Sequence, residues 1–210
     1  MGRFLAAAVG CALLVACQSD THAQFSPAPS PTPHAEPTAA ILQPQDVPSG
    51  LSICPGSGPM DVYVSVLETA DATAGDRLLT QWVQLIDGGA GSGAISVFAA
   101  NQSACGAELG ASASVKSVAS FVARFADESQ ADRAWHSGVL GFVPPQPGQL
   151  VSGLTLGSST GLGASSFSYD RPSVRLACWR RGVFVALVVV SNYDLTTFKA
   201  MTAAVDPRLN

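Results

Sequence analysis

Residues 173–190, "SVRLACWRRGVFVALVVV", carry two different apolar patterns on either side of one glycine. Before it, Val174, Leu176 and Cys178 fall at every second position, which in an extended chain puts them on one face. After Gly182, the run Val183 to Val190 is apolar at all eight positions. A strand apolar throughout buries both faces, so it belongs at the centre of a sheet that is covered on two sides. The link Arg180-Arg181-Gly182 is short enough for a tight hairpin, which makes the two strands antiparallel neighbours. Cys178 then reads as a small buried hydrophobe.

Helical spacing takes over beyond the hairpin. A helix starting near Asp194 presents Leu195, Phe198, Met201, Thr202 and Val205, and Asp206-Pro207 ends it. On the other side, short β segments surround Leu154 and Phe167, and "GFVPPQPGQ" (141–149) is a loop because of its prolines. "SVKSVASFVARFA" (114–126) alternates as a strand with Phe121, Ala123 and Phe125 on one face. Asp127 and Gln130 then form a capping pair for a helix carrying Ala131, Ala134, Trp135 and Val139. "AISVFAA" (94–100) is a strand followed by a short turn or helix that carries Cys105. Ahead of it Leu78, Leu79, Trp82, Leu85 and Ile86 mark a helix stopped by Gly88-Gly89. "DVYVSVLETA" (61–70) fits both periods; its helical face of Tyr63, Val66, Leu67 and Ala70 continues toward that clearer helix, so helix is assigned. The pattern predicts one α+β domain over 48–210, an antiparallel or mixed sheet with helices mainly on one face.

Composition changes before this domain. From Gln18 to about Val47 the chain is rich in Ser, Thr, Ala, Gln and Pro, and seven of the 14 prolines lie between Pro27 and Pro48. Alternating proline removes amide donors and favours an extended spacer of at most roughly 90 Å, so 17–47 is assigned as a disordered tether, with His22 and His34 solvated in it. Residues 4–16, "FLAAAVGCALLVA", follow Met1 and Arg3 as a 13-residue uncharged apolar run, the anatomy of a secretory signal and too short to span a bilayer, which needs about 20 residues.

That run ends in Leu14-Val15-Ala16-Cys17, which resembles the lipobox of bacterial lipoproteins. The resemblance implies cleavage after residue 16, loss of Cys11 with the peptide, and diacylglyceryl transfer to the Cys17 sulfur. Two acyl chains hold a protein stably at a membrane, each buried methylene contributing about 0.8 kcal/mol. An ordinary secretory signal cut later, near Ala23, is the alternative. The α+β pattern, the Pro-Ser-Gly-Leu start and the cysteines of the domain also resemble uncharacterised bacterial lipoproteins and extracytoplasmic kinase sensor domains; this covers general arrangement and carries over no site.

Export places Cys54, Cys105 and Cys178 where disulfides persist. Cys54 in "SICPGSG" and Cys105 in "QSACGAE" border loops, whereas Cys178 lies inside a strand, so Cys54 to Cys105 is the predicted bridge. It closes a loop of about 50 residues and contributes on the order of 4 kcal/mol in the chain-entropy model.

Ten Lys and Arg against twelve Asp and Glu in 48–210 leave no dense basic surface, which excludes nucleic acid as a partner. The local excess Arg171, Arg175, Arg180, Arg181 reads as a solvated sheet face. Gly157-Ser158-Ser159-Thr160-Gly161 matches the G-x-S-x-G nucleophile elbow but lacks a helix after it, and His136, the domain's one histidine, precedes it. Gly89 to Ala94 fits a dinucleotide pattern but follows a helix and enters a strand, so it is read as a helix stop and loop with no cofactor. The acids Asp61, Glu68, Asp71, Asp76 and Asp87 form no metal-ligand spacing, and Asp127, Glu128 and Asp132 are explained by helix capping. Asn101-Gln102-Ser103 is a glycosylation sequon in form only. The reading is a non-enzymatic, lipid-anchored extracytoplasmic lipoprotein that binds or senses an envelope protein or small molecule. A lipid or small-molecule carrier and an envelope hydrolase are the alternatives.

Overall fold

Arg181 and Phe184 face each other across a two-residue turn, and from there the two arms of the hairpin pair without a break to Val174 and Ser191. The structure is a computed structural model that describes residues 35–146, 148, 149 and 151–210. Along the chain its elements are α1 (Pro37–Ala40), β1 (Ser52–Ile53), β2 (Gly58–Pro59), α2 (Met60–Ala70), α3 (Ala72–Asp87), β3 (Ala90–Ala99) and β4 (Ser117–Phe125). There follow α4 (Glu128–Ser137), β5 (Leu154–Leu156), β6 (Ser166–Asp170), β7 (Val174–Arg181), β8 (Phe184–Ser191) and α5 (Leu195–Val205). The strands form one sheet in the order β1-β3-β4-β8-β7-β6-β5, with β2 also paired to β3, and every pairing is antiparallel. The domain is therefore α+β.

All eight residues of β8 are buried between β4 and β7. Val185, Leu187 and Val189 enter a core with Phe121, Ala123 and Phe125 of β4 and with Tyr63, Leu67, Leu78, Trp82 and Trp135 of α2, α3 and α4. Phe184, Ala186, Val188 and Val190 enter a second core with Phe198, Met201 and Val205 of α5. Helices α2, α3 and α4 thus cover one face and α5 the other.

The helix starts are set by side-chain caps: Asp71 accepts from the Ala74 amide at 3.0 Å, Asp127 from Gln130 at 2.8 Å and Asp194 from Thr197 at 2.8 Å. Gln130 does not complete the reciprocal half of the predicted capping pair; its side chain lies against Gly89 instead. Trp82 fixes α3 to the sheet, its Nε1 donating to Asp61 Oδ1 at 2.8 Å and its ring meeting Phe121 edge-on at 6.2 Å. A Cβ at residue 93 would lie 2.6 Å from that ring, so only glycine lets β3 pass beneath it. The segment Ala90–Gly93, read from sequence as loop, is accordingly the first part of β3, with an irregularity between Ala90 and Ser92.

One boundary needs correction. Ala35 to Val47, assigned to the tether by composition, is part of the folded unit. The Ala35 amide donates to the Asn210 carbonyl at 3.1 Å. Ala40, Ile41 and Leu42 are buried in the α5-side core, and the Leu42 amide donates to Ser120 Oγ at 2.8 Å, which in turn shares a hydrogen bond with Ser96 Oγ at 2.9 Å. Asp46 and Arg208 form a two-pronged pair at 2.8 Å in each arm. Three consecutive apolar side chains inside a proline-rich context are enough to dock the segment, and a composition window averages them away. The expected signal peptide (1–16), the expected lipidation site Cys17 and residues 18–34 lie outside the described residues.

Leu42→Ala should cost about 2–5 kcal/mol in denaturant unfolding, as for other buried leucines, whereas a free tether would show no change. The hydrogen bond from Arg208 holds the Asp46 carboxyl below the usual carboxylate range. Its contribution is therefore present at neutral pH and lost as pH falls through that lowered value. Asp46→Asn should unfold more easily at pH 7 and lack this acid-side component.

Candidate functional site

Cys54 and Cys105 are bonded, with Cα atoms 5.5 Å apart, as their loop context predicted. The bridge ties the segment between β1 and β2 to the turn that follows β3. Cys178 is free and fully buried, and burial pushes its thiol far above the ordinary range. Asn101 caps the turn ahead of Cys105, accepting from the Ser103 amide at 3.1 Å.

Ser159 and His136 do not come together. Ser159 is exposed on the single turn Gly157–Thr160, in a hollow shared with Ala177 and with Phe198 of α5. His136 is exposed on α4, across the sheet, 3.7 Å from Asp132. The arginine excess is neutralised pair by pair: Arg175 meets Asp170 at 2.6 Å, Arg180 meets Asp132 at 3.2 Å, and Arg181 grips Asp206 with two bonds of 2.8 and 2.7 Å. Arg171 is exposed.

An apolar concavity lies on the α2–α4 face, at the end of β7 and β8 remote from their hairpin turn. Val174, Leu176 and Val189 form its floor, Leu109 and Ala111 one wall and Phe142 the other, with Glu108 at the lip. The cleft holds about 280 Å³. Glu108 is 3.3 Å from Arg77 of α3, so the lip carries both charges. The Leu109 wall is tied down from β8: Asn192 Nδ2 donates to the Ser112 and Val115 carbonyls at 3.0 and 2.8 Å, and Ser191 Oγ accepts from the Ser112 amide at 3.3 Å.

Three non-glycine residues among those described have positive φ: Leu109 (+53°), Leu140 (+47°) and Asn192 (+57°). Of these only Leu109 lines the cleft; Leu140 lies two residues before Phe142, and Asn192 ties down the segment that follows Leu109. Left-handed backbone costs a branched residue on the order of 1–2 kcal/mol, and such strain gathers where a site must be held in shape. Both leucines are almost fully buried, so packing holds the strained turns in place. Sequence reading did not find this cleft. Its lining comes from four separated segments, and each residue reads by itself as ordinary core.

Comparison with family models, curated proteins and solved structures gives no match to this chain. Among the described residues no group of three or more His, Cys, Asp or Glu side chains could hold a metal ion. No helix among them is long and apolar enough to cross a membrane.

Thiol counting by mass spectrometry on the native protein should find the Cys54–Cys105 bridge and an unlabelled Cys178. Cys178 should alkylate only as fast as the whole domain unfolds; rapid labelling would show that β7 opens locally.

Proposed function

We propose that this chain is an extracytoplasmic lipoprotein, held to a membrane through acylated Cys17, whose domain binds a small ligand with an apolar body. The anchor rests on the lipobox resemblance at Leu14 to Cys17. The ligand site rests on one observation: an apolar cleft of about 280 Å³ is lined by Leu109, Phe142, Val174, Leu176 and Val189, with Leu109 itself held in left-handed backbone. Apolar walls with a few polar groups at the mouth are the usual composition of a small-molecule pocket.

The same cleft bears on the carrier alternative, which requires an apolar cavity. At about 280 Å³ it sits at the lower edge of the roughly 300–1,000 Å³ typical of such pockets. That volume suits a single ring or a short branched chain and is small for a lipid with two acyl tails. Ligand sensing at a membrane surface is therefore favoured over lipid transport. A catalytic role through Ser159 and His136 is not proposed, because the two lie on opposite faces of the sheet.

Small aromatic and short-chain probes should raise the unfolding temperature of the full chain, since a ligand at 100 times its Kd adds about 2.7 kcal/mol of stability. Val174→Trp, at a half-buried position of the cleft floor, should abolish that rise; an unchanged rise in the variant would remove the cleft from the account. Cys17→Ala should lose the mass of the acyl groups and move from the detergent phase to the aqueous phase. A wild-type protein already free in the aqueous phase would overturn the anchor.

A further inference from the structure

The far face of the sheet carries a second concavity of opposite character. Two hollows of about 210 and 310 Å³ share Thr160, Leu162, Lys199 and Thr202, and so form one groove between α5 and the β5–β6 edge. The Gly157–Gly161 segment, which imitates a nucleophile elbow in sequence, forms one bank. Its shape is fixed from inside. Ser166, 4 % exposed, has its hydroxyl within hydrogen-bonding distance of the Gly157 and Gly163 carbonyls, at 3.0 and 2.6 Å, either of which can accept its one proton, and of the Thr160 hydroxyl at 2.6 Å, whose oxygen also accepts from the Leu162 amide at 3.0 Å. The hydroxyl-bearing residues Thr155, Ser159 and Ser168 line the groove, and among the described residues their hydroxyls make no hydrogen bond.

Charge in the groove is asymmetric. Its two carboxylates are already engaged, Asp170 by Arg175 at 2.6 Å and Asp206 by Arg181 through two bonds. Lys199 is exposed and forms no ion pair among the described residues, so there the groove presents one uncompensated positive charge on a protein whose formal net charge is −4. Leu162 and Phe198 give it an apolar floor. A pre-shaped bank, free hydroxyls, an apolar floor and one cation match a ligand that presents a ring with several hydroxyls and one negative group.

We infer that this groove binds a small anionic carbohydrate, a sugar acid or sugar phosphate, with its negative group on Lys199 and its ring hydroxyls on Ser159, Ser168 and Thr155. The site is independent of the apolar cleft, which lies on the other face of the sheet. Neither reading depends on the other.

The test is calorimetric titration of the full chain in detergent with glucuronate, glucose 6-phosphate, glucose and inorganic phosphate. Both sugar anions should bind. Glucose and phosphate should each bind at least about tenfold more weakly, a difference of about 1.4 kcal/mol. Lys199→Gln should weaken the sugar anions by a similar factor, and Arg133→Gln, which removes a charge from α4 on the other face, should not. Lys199 is exposed, so the variant should keep the wild-type unfolding temperature. A disaccharide ending in glucuronate separates two sources of the ligand: tighter binding than the monosaccharide identifies a glycan end, and equal binding a free sugar acid, and either upholds the inference. Equal binding of glucose or phosphate, indifference to Lys199→Gln, or no heat with any probe would overturn it.

Discussion

The structure depends on the burial of β8. Its backbone bonds to β4 and β7 on both edges, and its eight side chains leave water on both faces. Full burial of a valine, leucine or phenylalanine side chain contributes about 1.5–3 kcal/mol, so neither face can stay uncovered. One face takes α2, α3 and α4, and the other takes α5 together with Ala40, Ile41 and Leu42. The two cores are separate solutions to a single demand, and they place the two concavities on opposite sides of the sheet.

Much of this was legible in the chain. The eight-residue apolar run specified a central strand, the alternation around Phe121 specified its neighbour, and the Asp127 and Asp194 caps located two helix starts. Loop context against strand context chose the disulfide pair. In the helix 72–87, periodicity alone could not separate Leu78, Trp82 and Leu85, which are buried, from Leu79 and Ile86, which are largely exposed. Five apolar positions make a stripe wider than the contact it serves.

What stayed hidden has a physical cause. The docking of residues 35–47 comes from three side chains, one buried hydroxyl pair and the Asp46–Arg208 bonds, whose partners lie 162 positions apart. The cleft wall at Leu109 has left-handed backbone, which nothing in the side-chain type announces. The Gly157–Gly161 motif was visible for a reason other than the one its pattern suggests. Its glycines and hydroxyls build a rigid bank, and Ser159 remains free because Ser166 and Thr160 carry out the internal bonding.

The hydrogen bond between Ala35 and Asn210 joins the first and last described residues of the domain. Whatever precedes residue 35 and whatever is attached after residue 210 must therefore leave from the same spot. The docked segment next to that point is held by its Leu42–Ser120 bond and its Asp46–Arg208 clasp, so a load applied at residue 35 would meet these contacts. Losing that segment would uncover the part of the α5-side core that Ala40, Ile41 and Leu42 cover, on the face of the sheet opposite α2, α3 and α4.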